Sequence, residues 1–269
     1  FSDSTAPPAV TDGRFVCFFN ASGTITCFDM DGALQWSRKV MAVGRSQPTL
    51  LRGSVVFIKQ SYMPDEAGHF THEYKDAPLD QWTQLQAIDL ETGKDKWSTS
   101  CGANMGCVPL LMSRSDGRQV MVVGRGGGHS PPEKPTGVSM IDAVDGKTLW
   151  TLPLQKFMST MTLNLYGDDV LVFDAGNHLW VDAYSGKIRR QISIVGGVAV
   201  CTKKDDGWTT EKKDISSGRK TRAIIQQSNI LAGHYHYFRS YTEPWLGRVD
   251  VRDGRVEYLQ LPVQMRPGS

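Results

Sequence analysis

Gln86-Ala87-Ile88-Asp89-Leu90-Glu91-Thr92-Gly93-Lys94-Asp95-Lys96-Trp97 reads as a strand, a tight turn and a second strand. Alternation ends at Asp89, Thr92-Gly93 supply the turn, and Trp97 follows four residues past the glycine. A carboxylate in such a turn accepts nearby backbone N–H groups, and glycine adopts the positive φ the turn demands. The pattern returns as Ile141-Asp142-Ala143-Val144-Asp145-Gly146 before Trp150 and Val181-Asp182-Ala183-Tyr184-Ser185-Gly186 before Arg190. It returns again as Val249-Asp250-Val251-Arg252-Asp253-Gly254 before Tyr258. A copy one residue shorter, Phe28-Asp29-Met30-Asp31-Gly32, leads to Trp36. Gly146 and Gly186 are the closest pair, about 40 residues apart, the length of one four-stranded propeller blade.

Working outward, five sets of four short strands are expected, at about residues 7–39, 47–99, 107–153, 158–194 and 222–261, with an insertion at 195–221. Within the last set, strands are placed at 222–227 and 230–238. No amphipathic helical period of useful length interrupts them, so residues 1–269 are read as a single all-β domain. The fold class is a β-propeller of four-stranded antiparallel blades.

The repeat resembles the pyrroloquinoline-quinone (PQQ)-type β-propeller repeat, Ala-x-Asp-x-x-Thr-Gly-x-x-x-Trp. Ala87, Asp89, Thr92, Gly93 and Trp97 fill every fixed position. The other copies keep Asp and Gly while the Trp becomes Arg190 and Tyr258. The resemblance implies that Trp36, Trp97 and Trp150 dock between neighbouring blades. Family propellers usually have seven or eight blades; five are visible here, so further blades upstream of Phe1 are expected, the alternatives being a smaller closed ring or closure with a second chain.

The bulk numbers bound the remaining classes. The 269 residues carry a formal charge of +2 and 22% charged side chains. That balance is too even to argue for nucleic acid or an anionic membrane surface. No apolar run reaches the roughly 18 residues of a membrane helix. Five cysteines form no Cys-x-x-Cys pair, which removes zinc-ribbon and c-type haem readings. Cys17/Cys27 and Cys101/Cys107 are each placed for either a disulfide or two free thiols.

Strands in a blade alternate direction. Links from second to third strand, and from outer strand to next blade, therefore leave at the end opposite the Asp–Gly turns. The long additions at 61–82, 125–135, 195–221 and 240–245 all use such links. Long loops on a rigid scaffold are the usual place for binding. His69, His72, Arg125, His129, His234, His236 and Arg239 are candidate ligand-binding residues, and Arg45 could join the two arginines around an anion. His234 and His236 alternate in the fifth blade and are the weak metal candidates. Lys203-Lys204-Asp205-Asp206 and Glu211-Lys212-Lys213-Asp214 are mixed in sign and read as a solvated hairpin or loop.

The resemblance implies two functions. One is a periplasmic or secreted, non-catalytic binding or scaffold module, with a protein or glycan partner on the insertion-bearing face and no cofactor. The alternative is a quinoprotein dehydrogenase of alcohols or sugars that uses PQQ and calcium. The known dehydrogenases carry two adjacent cysteines beside the quinone, and this chain has no Cys-Cys pair.

Overall fold

The computed structural model describes residues 8–20, 23–40, 48–60, 83–102, 107–125, 135–155, 162–174, 176–214, 229–239 and 245–262. Every regular element among them is a β-strand. The described residues hold no helix long and apolar enough to cross a membrane. Two compact units divide the chain, Phe1–Met161 and Thr162–Ser269.

The first unit holds three blades. Blade one is β1 (Val10–Thr11), β2 (Phe15–Phe19), β3 (Thr24–Asp29) and β4 (Leu34–Lys39). Blade two is β5 (Thr49–Leu51), β6 (Ser54–Gln60), β7 (Thr83–Asp89) and β8 (Asp95–Gly102). Blade three is β9 (Leu110–Ser113), β10 (Gln119–Arg125), β11 (Gly137–Asp142) and β12 (Thr148–Pro153). Each sheet follows chain order, all pairs antiparallel. The second unit holds blade four, with β13 (Asn164–Tyr166), β14 (Asp169–Asp174), β15 (Asn177–Asp182) and β16 (Ile188–Ser193). Blade five is a six-stranded sheet of β17 (Val198–Lys204), β18 (Gly207–Lys213), β19 (Ile230–Ala232), β20 (Tyr235–Arg239), β21 (Trp245–Asp250) and β22 (Val256–Gln260).

The third-to-fourth-strand turns share one clamp. Asp89 Oδ1 accepts the N–H groups of Glu91 and Thr92 and the Thr92 hydroxyl, at 3.1, 2.9 and 2.9 Å. Gly93 N–H closes the turn on the Asp89 carbonyl at 2.9 Å. Asp182 repeats the clamp with Tyr184 and Ser185, and Asp142 and Asp250 hold Val144 and Arg252. Burial works against the Asp89 and Asp182 carboxylates, but these donors outweigh it and hold both below the usual carboxylate range. A net 0.5–1.5 kcal/mol per hydrogen bond makes Asp89→Ala cost about 2 kcal/mol. Asp89→Asn, which keeps an acceptor, should cost less than half of that; urea midpoints of the two variants check the ratio.

A β-bulge just before the turn orients the outer strand. It falls at Cys27/Phe28, Ala87/Ile88, Met140/Ile141 and Trp180/Val181, and sets Trp36, Trp97, Trp150 and Arg190 opposite those strands. Blade five has none: Val249 pairs with Val256 and Arg248 with Glu257. The spacing that equated Tyr258 with the tryptophans is therefore corrected by one residue. Glu257 holds that place, and Tyr258 turns to the face packed on blade four.

Alternate residues of each strand feed the blade-to-blade cores, as the two-residue period requires. Phe15, Cys17, Phe19, Ile25 and Cys27 of blade one meet Val55, Phe57, Ile88 and Leu90 of blade two. Val56, Ile58, Leu85 and Ala87 meet Met121, Val123, Ile141 and Ala143 of blade three. In the second unit Leu171, Phe173, Trp180 and Ile194 meet Phe238, Trp245, Val249, Val251 and Tyr258. Trp36 lies against Gly93 and its indole N–H donates to the Leu90 carbonyl at 2.8 Å; the Trp97 ring lies against Gly146. Arg190 does this for blade four, donating to the Asp253 carbonyl.

Two expectations on strand placement change. The first strand of blade five is Ile230–Ala232, turned by Gly233-His234, and residues 222–227 lie outside the described residues. Inside the segment 195–221, β17 and β18 form a hairpin with Asp205-Asp206 at its tip. β17 then pairs in parallel with β22 through Ala199–Glu257, Val200–Tyr258 and Cys201–Leu259. Val198 and Val200 are buried while β18 is exposed along nearly its whole length, so the hairpin covers the outer strand of its blade.

Candidate functional site

The second strand of each blade ends where the long links begin, and Arg125 and Arg239 are such ends. Arg125, the last residue of β10, is 4% exposed. Its Nη1 donates to Ser139 Oγ at 3.4 Å, and Ser139 shares a 2.8 Å bond with the Thr151 hydroxyl. Arg239, the last residue of β20, is 9% exposed and pairs with Leu246. Both guanidinium groups are set into strand ends rather than lying as free surface charge. Arg45, His69, His72 and His129 fall outside the described residues, as do the links 61–82, 126–134 and 240–244.

The remaining histidines are divided. His234, in the β19–β20 turn, is partly exposed, with Nε2 3.8 Å from Asp250 Oδ2. His236 is buried, and its partner is His178 of blade four: His178 Nε2 lies 2.8 Å from His236 Nδ1. The far nitrogen of His236 faces Asn229 Oδ1 at 3.0 Å and Asn164 Nδ2 at 3.1 Å. Backbone contacts orient both amides. Asn164 Oδ1 accepts Leu231 N–H at 3.0 Å, and Asn229 Nδ2 donates to the Thr162 carbonyl at 3.2 Å. Phe173 packs on both rings, with centroids 4.7 and 4.8 Å away, and Trp180 stands edge-on to His178 at 4.1 Å.

Burial pushes both imidazoles down. His236 falls to about 3, and His178 lies well below its ordinary value, with His236 and Arg190 adding to the effect. The pair is therefore neutral at pH 7. With Asn229 Oδ1 accepting from His236 Nε2–H, His236 Nδ1 accepts in turn from His178 Nε2–H. That arrangement leaves only a lone pair, on His178 Nδ1, without a hydrogen bond. It is a satisfied polar joint between blades four and five, with both nitrogens of His236 engaged. Sequence could not pair His178 with His236, because the contact crosses blades.

Cys17 and Cys27 face each other across β2 and β3, buried and as free thiols. Burial raises both, and Cys107, which accepts Gly124 N–H at 3.0 Å, is pushed up to about 12. Inert, packed sulfurs are the consequence. The side chain of Cys101 lies outside the described residues. Among the described residues no three His, Cys, Asp or Glu side chains gather as a metal site would require.

Comparison with known proteins follows the same lines. The model of the family described as outer membrane protein assembly factor BamB matches residues 79–264. A search of the curated proteins finds no match. Among solved structures, BamB from Moraxella catarrhalis is 16% identical with a TM-score of 0.54, over 93% of this chain and 59% of that one. Quinohemoprotein alcohol dehydrogenase ADHIIG from Pseudomonas putida HK5 is 12% identical with a TM-score of 0.53, over 91% and 44%. A europium-containing methanol dehydrogenase is 10% identical with a TM-score of 0.54, over 90% and 53%. At these identities the likeness is one of fold. The chain spans between about two fifths and three fifths of the length of these structures.

Proposed function

The chain belongs to the family of the outer membrane protein assembly factor BamB, and on that premise we propose that it is a non-catalytic binding propeller. It acts in the periplasm or outside the cell, and holds a protein or glycan on the face from which the long links leave. The family match across residues 79–264 carries this reading, because it spans blades three, four and five and the last two strands of blade two. The geometry supports it. In each blade the Asp–Gly turns are short and clamped, while additions enter only at the opposite end. Arg125 and Arg239 each close the second strand of their own blade beside such a link.

Cross-linking of the chain in envelope preparations, followed by peptide mapping, tests the proposal. Cross-links should concentrate in 61–82, 126–134 and 240–244. Trimming 61–82 should weaken partner retention at least tenfold. Cross-links confined to the Asp–Gly turns would remove the reading.

The alternative, a PQQ- and calcium-dependent dehydrogenase of alcohols or sugars, draws on the fold shared with the two dehydrogenase structures. The quinone would supply hydride-accepting chemistry to such an enzyme. The described residues do not fit that cofactor pair. The two cysteines that are neighbours in space, Cys17 and Cys27, are sealed between blades one and two, and no described carboxylate cluster offers a calcium cage. A visible spectrum and metal assay of the purified protein separate the readings: one bound quinone and one calcium per chain would favour the enzyme.

A further inference from the structure

Blade one sets two thiols opposite each other where the other blades set none. Cys17 of β2 pairs directly with Cys27 of β3. The same register holds Val56–Ala87 in blade two, Val122–Met140 in blade three, Leu171–Trp180 in blade four and Tyr237–Arg248 in blade five. The Asn20 N–H donates to the Thr24 carbonyl at 3.0 Å, which makes Asn20–Thr24 a hydrogen-bonded pair of this hairpin. Bonded and unbonded pairs alternate along an antiparallel ladder, so Phe19–Ile25 is unbonded, Phe18–Thr26 bonded and Cys17–Cys27 unbonded. In an unbonded pair the Cα atoms stand about 4.5 Å apart, inside the range of about 4.4–6.8 Å that a disulfide spans. The two thiols are also within hydrogen-bonding reach of each other.

Access to the pair is decided by blade two. In the folded chain both cysteines are 0% exposed, packed with Phe15, Phe19 and Ile25 of their own blade and covered by Val55, Phe57, Ile88 and Leu90 of blade two. Cys27 Sγ donates to the Leu90 carbonyl at 3.6 Å, the acceptor that the Trp36 indole also uses. Thiolate is the form that attacks a disulfide, and burial raises both thiols, so the docked joint suppresses the reacting species as well as its access. The hairpin that brings the cysteines together is local and precedes blade two in the chain, so the pair forms before its cover arrives.

We infer that Cys17 and Cys27 close into a cross-strand disulfide on the β2–β3 hairpin before blade two docks, and that docking then fixes whichever state the pair has reached. The oxidant is a small disulfide such as glutathione disulfide. One cysteine thiolate attacks a sulfur of the oxidant, forming a mixed disulfide and releasing the oxidant's other sulfur as a thiolate. The second cysteine thiolate then attacks the first cysteine's sulfur and expels the remaining oxidant thiolate. Two protons and two electrons leave the pair, and one oxidant disulfide becomes two thiols. The reaction depends on the hairpin and its cover and not on the compartment, so its failure would leave the proposed function standing.

Cell-free synthesis of the intact polypeptide reads the pair directly, because a tryptic digest leaves both cysteines in one peptide, 15–38. The soluble chain is unfolded in N-ethylmaleimide and then digested. Made with glutathione disulfide present, it should yield that peptide free of maleimide and lighter by two hydrogens. Made reduced, folded and only then given the same oxidant, it should close at least a hundredfold more slowly. Trp36→Ala loosens the joint over the pair and should speed that second reaction at least tenfold. Trp97→Ala, at the joint between blades two and three, should not. Three outcomes overturn the inference: two maleimides on the peptide from the oxidising synthesis, equal closure rates before and after folding, or acceleration by Trp97→Ala equal to that by Trp36→Ala.

Discussion

Acidification from pH 6.5 to pH 5 should cost the second unit about 3 kcal/mol of stability, well before its carboxylates are protonated. The cause is the His178–His236 joint. An unfolded chain protonates both imidazoles below about pH 6.5, while the folded chain refuses those protons until about pH 3 at His236. Their folded values are depressed, so their contribution is intact above about 6.5, falls as pH drops, and levels off near the folded value. Each histidine contributes up to about 1.4 kcal/mol per pH unit within that window. The clamped aspartates act elsewhere. Asp89 and Asp182 have depressed values, so their contribution holds above about pH 4 and is lost only below it. Urea midpoints at pH 7, 6 and 5 give the slope. His236→Gln can still reach Asn229 and His178 but does not titrate, and should halve it. A midpoint flat from pH 7 to 5 would mean that the two rings are not buried together.

What the sequence revealed follows the range over which each cause acts. The Asp–Gly turn is decided within five residues, so all five copies and the strands flanking them could be read from spacing and alternation. The bulge that aims Trp36, Trp97 and Trp150 leaves no mark in that spacing. Blade five kept the spacing without the bulge, which is why Tyr258 was aligned with the tryptophans when Glu257 stands there. The pairing of β17 with β22 joins residues far apart in the chain, so nothing local marks Val198 and Val200, inside the segment read as an insertion, as part of blade five. The histidines show the same limit more sharply. Spacing grouped His234 with His236, two residues apart on one strand. Packing joins His236 instead to His178, 2.8 Å away on the neighbouring blade. A side chain's local period predicts its face; its partner across a blade joint is set by the stacking of sheets.

Gly93→Ala should be among the most damaging single-methyl changes in the first unit, costing about 4 kcal/mol. Two effects add. The turn holds Gly93 at φ +67°, where an L-residue pays roughly 1–2 kcal/mol. The new methyl also meets the Trp36 ring at 2.7 and 2.9 Å, and the indole must leave its seat. That breaks the bond to the Leu90 carbonyl and opens the core between blades one and two, a loss on the scale of Trp→Ala, about 3 kcal/mol. Gly53 provides the control, since it has the same φ of +67° and nothing within 4 Å of its Cβ position. Gly53→Ala pays the backbone term alone, so the difference between the two variants isolates the docking contact. In a Trp36→Ala background that difference should vanish, because the methyl then enters the space the ring vacated. The double-mutant cycle should therefore show a coupling of about 2 kcal/mol or more. Equal costs at Gly93 and Gly53 in the parent protein would mean that the indole does not seat on the turn.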